Sequence, residues 1–154
     1  YSKMLQAADP QGHDIVLDIG FATGYSSMIL SSMVTTVIAL EQGERQIDLA
    51  SRIWREHGVC NIVPVEGDIT KGVPQHAPYS LIVINGAVKE VPHDILEQLD
   101  IGGRLVTVIC DGDRAMGRAM LFVKSENGNI SSRVLFDASV PLLKVFTPVS
   151  QFVF

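Results

Sequence analysis

The sequence predicts a doubly wound α/β fold, in which a mostly parallel sheet of seven strands is closed by a C-terminal antiparallel hairpin. From residue 14 to about residue 110, short apolar runs alternate with segments of helical periodicity. The alternation ends at two strand-like runs, 118–124 and 130–136. Asn127-Gly128 lies between them, and this dipeptide favours a hairpin because both residues tolerate positive φ.

Five strands are expected to precede the hairpin, and the fourth is apolar on both faces, as a central parallel strand should be. They are predicted at residues 14–19, 37–40, 61–66, 81–84 and 104–110. Spacing of apolar residues and helix-end signals predict the helices. These cover residues 1–8 (the end of a helix), about 25–33, about 44–57, and 92 to about 99. A chain of 154 residues fits one domain, 1–154.

Composition narrows the classes of function. The net charge of −5 and the pI near 5.2 argue against nucleic acid as the main partner, because phosphate binding needs a basic face. No apolar run approaches the ~18 residues that span a membrane, and the N-terminus lacks a signal-peptide layout. Cys60 and Cys110 have no neighbours at metal-ligand spacing, so we expect no metal, and reduced thiols in a cytoplasmic protein.

The most informative stretch is a strand, a glycine loop and a helix in succession. The strand at 14–19 runs into a loop bracketed by Gly20 and Gly24, and the helical pattern begins after it. Glycine lets such a loop turn tightly and lets backbone N–H groups approach a ligand. Acids follow the next two strands as Glu41 and Asp68, at the same carboxyl edge of the predicted sheet. These features predict a small-molecule site.

The loop by itself does not identify the ligand. Ala22 stands where a methyltransferase G-x-G-x-G loop has its middle glycine, and the dinucleotide pattern G-x-G-x-x-G fails at Ala22 and Tyr25. The hairpin disfavours a nicotinamide-dependent enzyme, because those domains usually continue with a further βαβ unit. We expect negative φ at Ala22.

Motifs spread along most of the chain are more specific than the loop. They are Pro10-x-Gly12-x-Asp14-x-Val16-Leu17-Asp18-Ile19-Gly20, Gly24-Tyr25, Glu41, Gly67-Asp68-x-Thr70-Lys71-Gly72, Ala77-Pro78-Tyr79, Glu90-Val91-Pro92, Leu96-x-Gln98-Leu99 and Gly102-Gly103-Arg104-Leu105-Val106. With these motifs the sequence resembles, from Pro10 to about Leu142, the protein-L-isoaspartate O-methyltransferase family, which uses S-adenosylmethionine.

The resemblance implies a cofactor-binding role for residues at the carboxyl edge. The amino acid end of S-adenosylmethionine would lie on loop 20–24 with Asp18 near its ammonium, although Asp18 could instead cap the loop. Glu41 would accept both ribose hydroxyls, and Asp68 the adenine amino group, with Ile69 packing on the ring; a surface carboxylate is the alternative for each acid. The predicted cofactor-binding residues are Asp18, Gly20, Phe21, Ala22, Gly24, Tyr25, Glu41, Gln42, Asp68, Ile69 and Asn85.

The methyl acceptor implied by the resemblance is an isoaspartyl carboxylate of a protein or peptide, methylated in protein repair. A carboxylate is already ionised at neutral pH, with a pKa of about 4, so no general base is required and no catalytic residue is assigned. A different acceptor and a non-catalytic cofactor-binding or interaction domain remain alternatives.

Three departures from the family affect the acceptor side. Only nineteen residues precede Gly20, whereas the family has a longer region that supplies a small hydroxyl residue at the acceptor site. Asn85-Gly86-Ala87-Val88 replaces a Thr-Ala-Ala-Ala-like stretch, and Ile69 stands where glycine is common. We therefore expect the chain to lack the acceptor-site region and to bind the cofactor tightly while methylating an isoaspartyl peptide weakly or not at all.

The C-terminal tail is strongly apolar. Its apolar residues are expected to pack against the domain or against a second subunit in a homodimer. They are Val145, Phe146, Val149, Phe152, Val153 and Phe154.

Overall fold

Seven strands form one sheet in the computed structural model, which describes residues 1–112 and 116–146. The strands are β1 Ile15–Ile19, β2 Thr36–Glu41, β3 Ile62–Glu66, β4 Tyr79–Val88, β5 Leu99–Ile109, β6 Gly117–Lys124 and β7 Ile130–Ala138. Their order is β3-β2-β1-β4-β5-β6-β7. Neighbours from β3 to β5 pair in parallel, and β6 pairs antiparallel with both β5 and β7. The predicted parallel sheet with its antiparallel hairpin is confirmed.

Helices cover both faces of this sheet. They are α1 Ser2–Ala8, α2 Tyr25–Ser31, α3 Glu44–Glu56 and α4 His93–Leu96, with short 3₁₀ turns at Pro74–His76 and Lys144–Phe146. The first three helices pack on one face, and α4 and residues after β3 pack on the other. Alternating side chains of β1 serve the two cores, with Val16 on the first face and Leu17 and Ile19 on the second. Because the helices cover the faces, the ends of the strands are left open for binding.

Two strands extend several residues beyond their predicted bounds, and one of these differences shapes the site. The predicted strand 81–84 continues to Val88, because Ala87 and Val88 pair with β5 beyond an irregularity that follows Val83. Asn85 and Gly86 lie in this irregularity, at the carboxyl end of the original run.

The second difference concerns β5. The strand begins at Leu99 and not at 104, and the preceding helix ends at Leu96. Gly103 lies in the resulting bulge, where an added Cβ would be 2.9 Å from the Tyr79 carbonyl oxygen. Only a residue without a side chain permits this close approach of backbones.

An ion pair between Arg104 and the buried Asp14 stabilises the end of the sheet at which the parallel strands begin. Arg104 Nη2 donates to Asp14 Oδ2 at 2.8 Å, Nε to the Ala8 carbonyl at 2.8 Å and Nη1 to the Ser80 carbonyl at 3.2 Å. Burial raises the pKa of Asp14, but the hydrogen bonds from Arg104 and the Gln11 N–H, with the charge of Arg104, outweigh it and leave the pKa below its ordinary value. The pair thereby joins α1, β1, β4 and β5.

We predict that Asp14→Ala lowers the free energy of unfolding by about 3–5 kcal/mol, because it leaves the Arg104 charge uncompensated. Asp111→Ala is the matched control, since it breaks an exposed pair with Arg118 at 3.6 Å and is expected to cost less than about 1 kcal/mol. Denaturant unfolding measures both. The folded pKa of Asp14 is lowered, so its contribution is present above pH ~4 and is lost as the pH falls through the folded pKa. Equal costs for the two substitutions would contradict the prediction.

Candidate functional site

A cavity of about 430 Å³ opens at the carboxyl edge of the parallel strands. It lies where β1 and β4 are neighbours and the chain order reverses, which is the usual position of ligands in open α/β sheets. Most of its wall is apolar, and Glu41 is the charged side chain in the wall. The lining residues are Tyr1, Met4, Gly20, Ala22, Glu41, Ile69, Ile84, Asn85, Gly86, Val108, Val140, Pro141 and Leu143.

The glycine loop is held between β2 and α3. Gly20 has φ +72°, and its N–H donates to the Leu40 carbonyl at 2.9 Å. Gly24 has φ +86°, and a Cβ there would lie 2.7 Å from the Ala50 Cβ. Trp54 Nε1 donates to the Gly24 carbonyl at 2.9 Å. The two glycines are therefore needed for their backbone conformation, and at Gly24 also for close packing.

Ala22 adopts a left-handed conformation, with φ +50°, so the prediction of negative φ was wrong. Its N–H donates to Glu41 Oε2 at 3.0 Å, and the loop bends left-handed at residue 22 to make this bond. The Gln42 N–H donates to the other oxygen, Oε1, at 2.9 Å. Glu41 thus receives one backbone donor on each oxygen. Each carboxylate oxygen has a second lone pair, so both can still accept from a ligand.

Asp18 lies beneath the loop and has no exposed surface. Its Oδ2 accepts hydrogen bonds from the hydroxyls of Ser26 at 2.7 Å and Ser27 at 2.6 Å, and its Oδ1 accepts one from Asn85 Nδ2 at 2.7 Å. Burial raises the pKa of Asp18 in spite of these bonds, and the nearby charge of Glu41 raises it further. These bonds join Asp18 to the first turn of α2 and to Asn85.

The structure brings five of the eleven predicted residues into the cavity wall. They are Gly20, Ala22, Glu41, Ile69 and Asn85. Phe21 is buried under the loop, with its ring 5.3 Å from that of Trp54. Gln42 is exposed, and Tyr25, at the first turn of α2, is 65% exposed. Tyr25 and Gln42 contribute no side chain to the wall.

Asp68 lies at the end of β3, outside the cavity wall, and is exposed. Its Oδ1 accepts from the Thr70 hydroxyl at 2.6 Å and from the Thr70 N–H at 2.9 Å. These bonds lower the pKa of Asp68 below its ordinary value. The carboxylate is ionised and fixed beside Ile69, which does line the cavity.

The segment 140–143 forms a wall that the sequence did not predict. The Ala87 N–H donates to the Pro141 carbonyl at 2.9 Å, and the Leu143 N–H donates to the Ala87 carbonyl at 2.7 Å. Gly86 has φ +136°, and a Cβ there would lie 2.6 Å from Leu143 Cγ. The feature of the sequence that could have indicated this wall is Gly86, which lies in the stretch 85–88 that departs from the family.

Three other predictions concern metal binding, membrane spans and the apolar tail, and the described residues bear on each of them only in part. Among residues 1–112 and 116–146 there is no group of three or more His, Cys, Asp and Glu side chains arranged to hold a metal ion. No helix in the described part of the chain has the length and apolar character needed to cross a membrane. Phe146 is buried in the second core and Val145 is half exposed, whereas the rest of the apolar tail lies outside the described residues.

The sheet and its site together define a class of protein. A parallel sheet ordered β3-β2-β1-β4-β5, an antiparallel continuation through β6 and β7, and a glycine loop at a cavity beside β1 and β4 make up a Rossmann-like methyltransferase fold.

Comparison with known proteins identifies the family. A family model described as Protein-L-isoaspartate(D-aspartate) O-methyltransferase (PCMT) matches residues 2–144, and the chain belongs to this family. The protein-L-isoaspartate O-methyltransferase of Aeropyrum pernix is 36% identical over 149 residues, which cover 92% of this chain and 55% of that protein. The chain spans about half the length of the curated relatives it matches.

Solved structures agree with the fold. A protein-L-isoaspartate O-methyltransferase superimposes with a TM-score of 0.81 at 26% identity, covering 90% of this chain and 44% of that one. A Plasmodium falciparum protein solved in complex with S-adenosyl-L-homocysteine gives a TM-score of 0.71 at 18% identity, covering 93% of this chain and 71% of its own. At that identity the second match supports the fold.

We predict that Ala22→Gly raises the free energy of unfolding by about 0.5–1 kcal/mol. Relief of a left-handed non-glycine residue is worth about 1–2 kcal/mol, and the added entropy of the unfolded chain removes about 0.4–1 kcal/mol of it. Ala77→Gly is the control, because its φ of −67° suits alanine and the change is expected to destabilise. Denaturant unfolding compares the two. Destabilisation by Ala22→Gly equal to that at Ala77 would refute the strain at residue 22.

Proposed function

We propose that the cavity binds S-adenosylmethionine and that the protein methylates isoaspartyl carboxylates of damaged proteins or peptides. The observation that carries the proposal is the doubly hydrogen-bonded Glu41 facing a cavity beside a left-handed glycine loop, in a chain that belongs to this family. Binding of S-adenosyl-L-homocysteine by the structural neighbour from Plasmodium falciparum supports the choice of cofactor.

The donor and acceptor set in the wall fits such a cofactor. A ribose diol offers two O–H donors, and Glu41 has one lone pair left on each oxygen after its bonds to Ala22 and Gln42. The apolar side chains of Ile69 and Ile84 suit the face of a purine ring. Asp68, held by Thr70 beside Ile69, is the acceptor that we assign to the adenine amino group. Gly20 and Ala22 bring backbone close to the cavity, and we assign the amino acid end of the cofactor to this loop.

The remaining predicted residues support the loop. Asp18 holds the first turn of α2 and Asn85, Phe21 packs on Trp54, and Gly24 allows α3 to approach. Tyr25 and Gln42 are assigned to the rim of the site, outside the wall. In this proposal the first-strand acid positions the groups that bind, and Glu41 binds directly.

Bound S-adenosylmethionine supplies a methyl group activated by its sulfonium. The chain contributes orientation and the exclusion of water, through an apolar wall that includes Val108, Val140 and Leu143. A carboxylate acceptor arrives ionised at neutral pH because its ordinary pKa is about 4. No side chain has to remove a proton, which agrees with a wall in which Glu41, the carboxyl group among the described lining residues, is engaged by the loop.

A cytoplasmic location completes the proposal. Cys60 is exposed and Cys110 is buried, and no disulfide joins them in the described structure. Exposed thiols persist in reducing compartments. The acidic net charge supports a protein or peptide partner over nucleic acid.

We predict that Glu41→Ala weakens binding of S-adenosyl-L-homocysteine by about 1.5–3 kcal/mol, the range for hydrogen bonds to a charged group. Glu66→Ala is the matched control, because Glu66 is the residue paired with Glu41 on β3 and does not line the cavity. Calorimetry measures both, with NAD as the control ligand, which we expect not to bind. Equal affinity of wild type and Glu41→Ala would remove Glu41 from the site, and a preference for NAD would overturn the class of ligand.

We predict slow methyl transfer that is selective for isoaspartate. The cavity wall offers an acceptor no serine or threonine hydroxyl among the described residues, so little holds the acceptor in line, and alignment can be worth ~7–11 kcal/mol. The measurement is transfer of labelled methyl groups to an isoaspartyl peptide, beside the same peptide with a normal aspartate. Equal labelling of the two peptides, or labelling of neither, would count against isoaspartate as the substrate. Cofactor binding without any transfer would favour the non-catalytic alternative.

A further inference from the structure

The side-chain amide of Asn85 bridges the ends of β1 and β4. Its Nδ2 donates to Asp18 Oδ1 at 2.7 Å and to the Ile19 carbonyl at 3.0 Å. These strands part at the crevice where the cavity opens, because the last pair in their register is Ile19 with Ile84. Asn85 closes the floor of that crevice.

Hydrogen-bond chemistry fixes the orientation of this amide. An amide nitrogen carries two hydrogens, and Nδ2 donates one to Asp18 Oδ1 and one to the Ile19 carbonyl, which can only accept. Turning the amide over would place Oδ1 against the same two oxygens and would lose the bonds that Nδ2 donates. Asn85 therefore keeps its nitrogen on the protein.

The oxygen of the amide is the group left for a ligand. Asn85 lines the cavity and is half-buried, and with Nδ2 engaged its side chain can only accept hydrogen bonds there. Its neighbour Gly20 belongs to the loop that we assign to the amino acid end of the cofactor. A Cβ on Gly20 would lie 3.7 Å from the backbone carbonyl oxygen of Asn85. Asn85 and the loop thus share one end of the cavity.

The charge of the surrounding side chains determines whether the carboxylate or the ammonium group of an amino acid would bind at that end. Among the described residues Glu41 is the charged side chain in the wall, and the Asp18 carboxyl group lies directly behind Asn85 and accepts from it, so this end of the cavity presents acceptors and negative charge. A carboxylate would be repelled by it. An ammonium group has three donors and no acceptor, and it is attracted by it.

We infer that Asn85 is a specificity residue that binds the ammonium group of the cofactor through its side-chain oxygen, with Asp18 fixing the amide in the required orientation. This inference rests on the proposed function, and it adds the group that Asn85 recognises and the reason why the amide cannot turn. It also distinguishes the two residues, because Asn85 touches the ligand and Asp18 acts through Asn85.

The experiment compares ligands that differ at the amino acid end. S-adenosyl-L-homocysteine, its analogue without the amino group, and 5′-methylthioadenosine, which lacks the amino acid end, are titrated into wild type, Asn85→Ala and Asn61→Ala. Asn61 is the matched control, since its Nδ2 also donates to backbone carbonyls, those of Ser31 and Val34, away from the cavity. We expect wild type and Asn61→Ala to prefer the complete ligand over the deaminated one by about 10-fold or more. In Asn85→Ala the preference should fall to within about 3-fold.

If Asn85→Ala weakens binding of all three ligands equally and the preference stays intact, the inference is overturned. Asn85 then has only a structural role. If removal of the donor to Asp18 prevents folding, Asn85→Ser is the second variant, because its hydroxyl can still donate to Asp18 while the amide oxygen is gone; the same loss of preference is expected. Failure of wild type to bind any of the three ligands would overturn the proposed function itself, and with it this inference. A purely structural role of Asn85 and a wrong class of ligand therefore give different results.

Discussion

A buried carboxyl group organises the binding edge of this protein. Asp18 lies at the end of the first strand with no exposed surface, and it accepts hydrogen bonds from the hydroxyls of Ser26 and Ser27 and from the amide of Asn85. Leaving any of these bonds unmade would cost the desolvation of a buried polar group. The start of α2 and the end of β4 are therefore fixed relative to β1.

The second carboxylate of the site works under a different constraint. Glu41 faces the cavity, and its two oxygens accept from the backbone of Ala22 and Gln42. Glu41 thus holds the glycine loop at Ala22, and Asp18 holds the start of the helix that follows the loop. Preorganisation of this kind lowers the entropy lost on binding, since the groups that meet the ligand are already in place.

Much of the fold and part of the site follow from short-range patterns in the sequence. The position of Glu41 at the carboxyl end of a strand is set by local periodicity, and so is the loop after Ile19. The conformation of Ala22 could not be read in this way, because it depends on a hydrogen bond to a residue nineteen positions later. The roles of Ser27 and Asn85 depend likewise on Asp18, nine and 67 residues away. Local patterns predict elements, whereas long-range hydrogen bonds decide how side chains are used.

The wall formed by residues 140–143 has a consequence for the order of folding. Tyr1 and Met4 line the same cavity as Val140, Pro141 and Leu143, so contacts at the extremes of sequence separation complete it. Such contacts require the closure of long loops and form late in folding. During synthesis the sheet from β1 to β4 can assemble while the cavity still lacks one side. The wall at residues 140–143 is then complete only after the segment beyond β7 has been synthesised and has paired with Ala87.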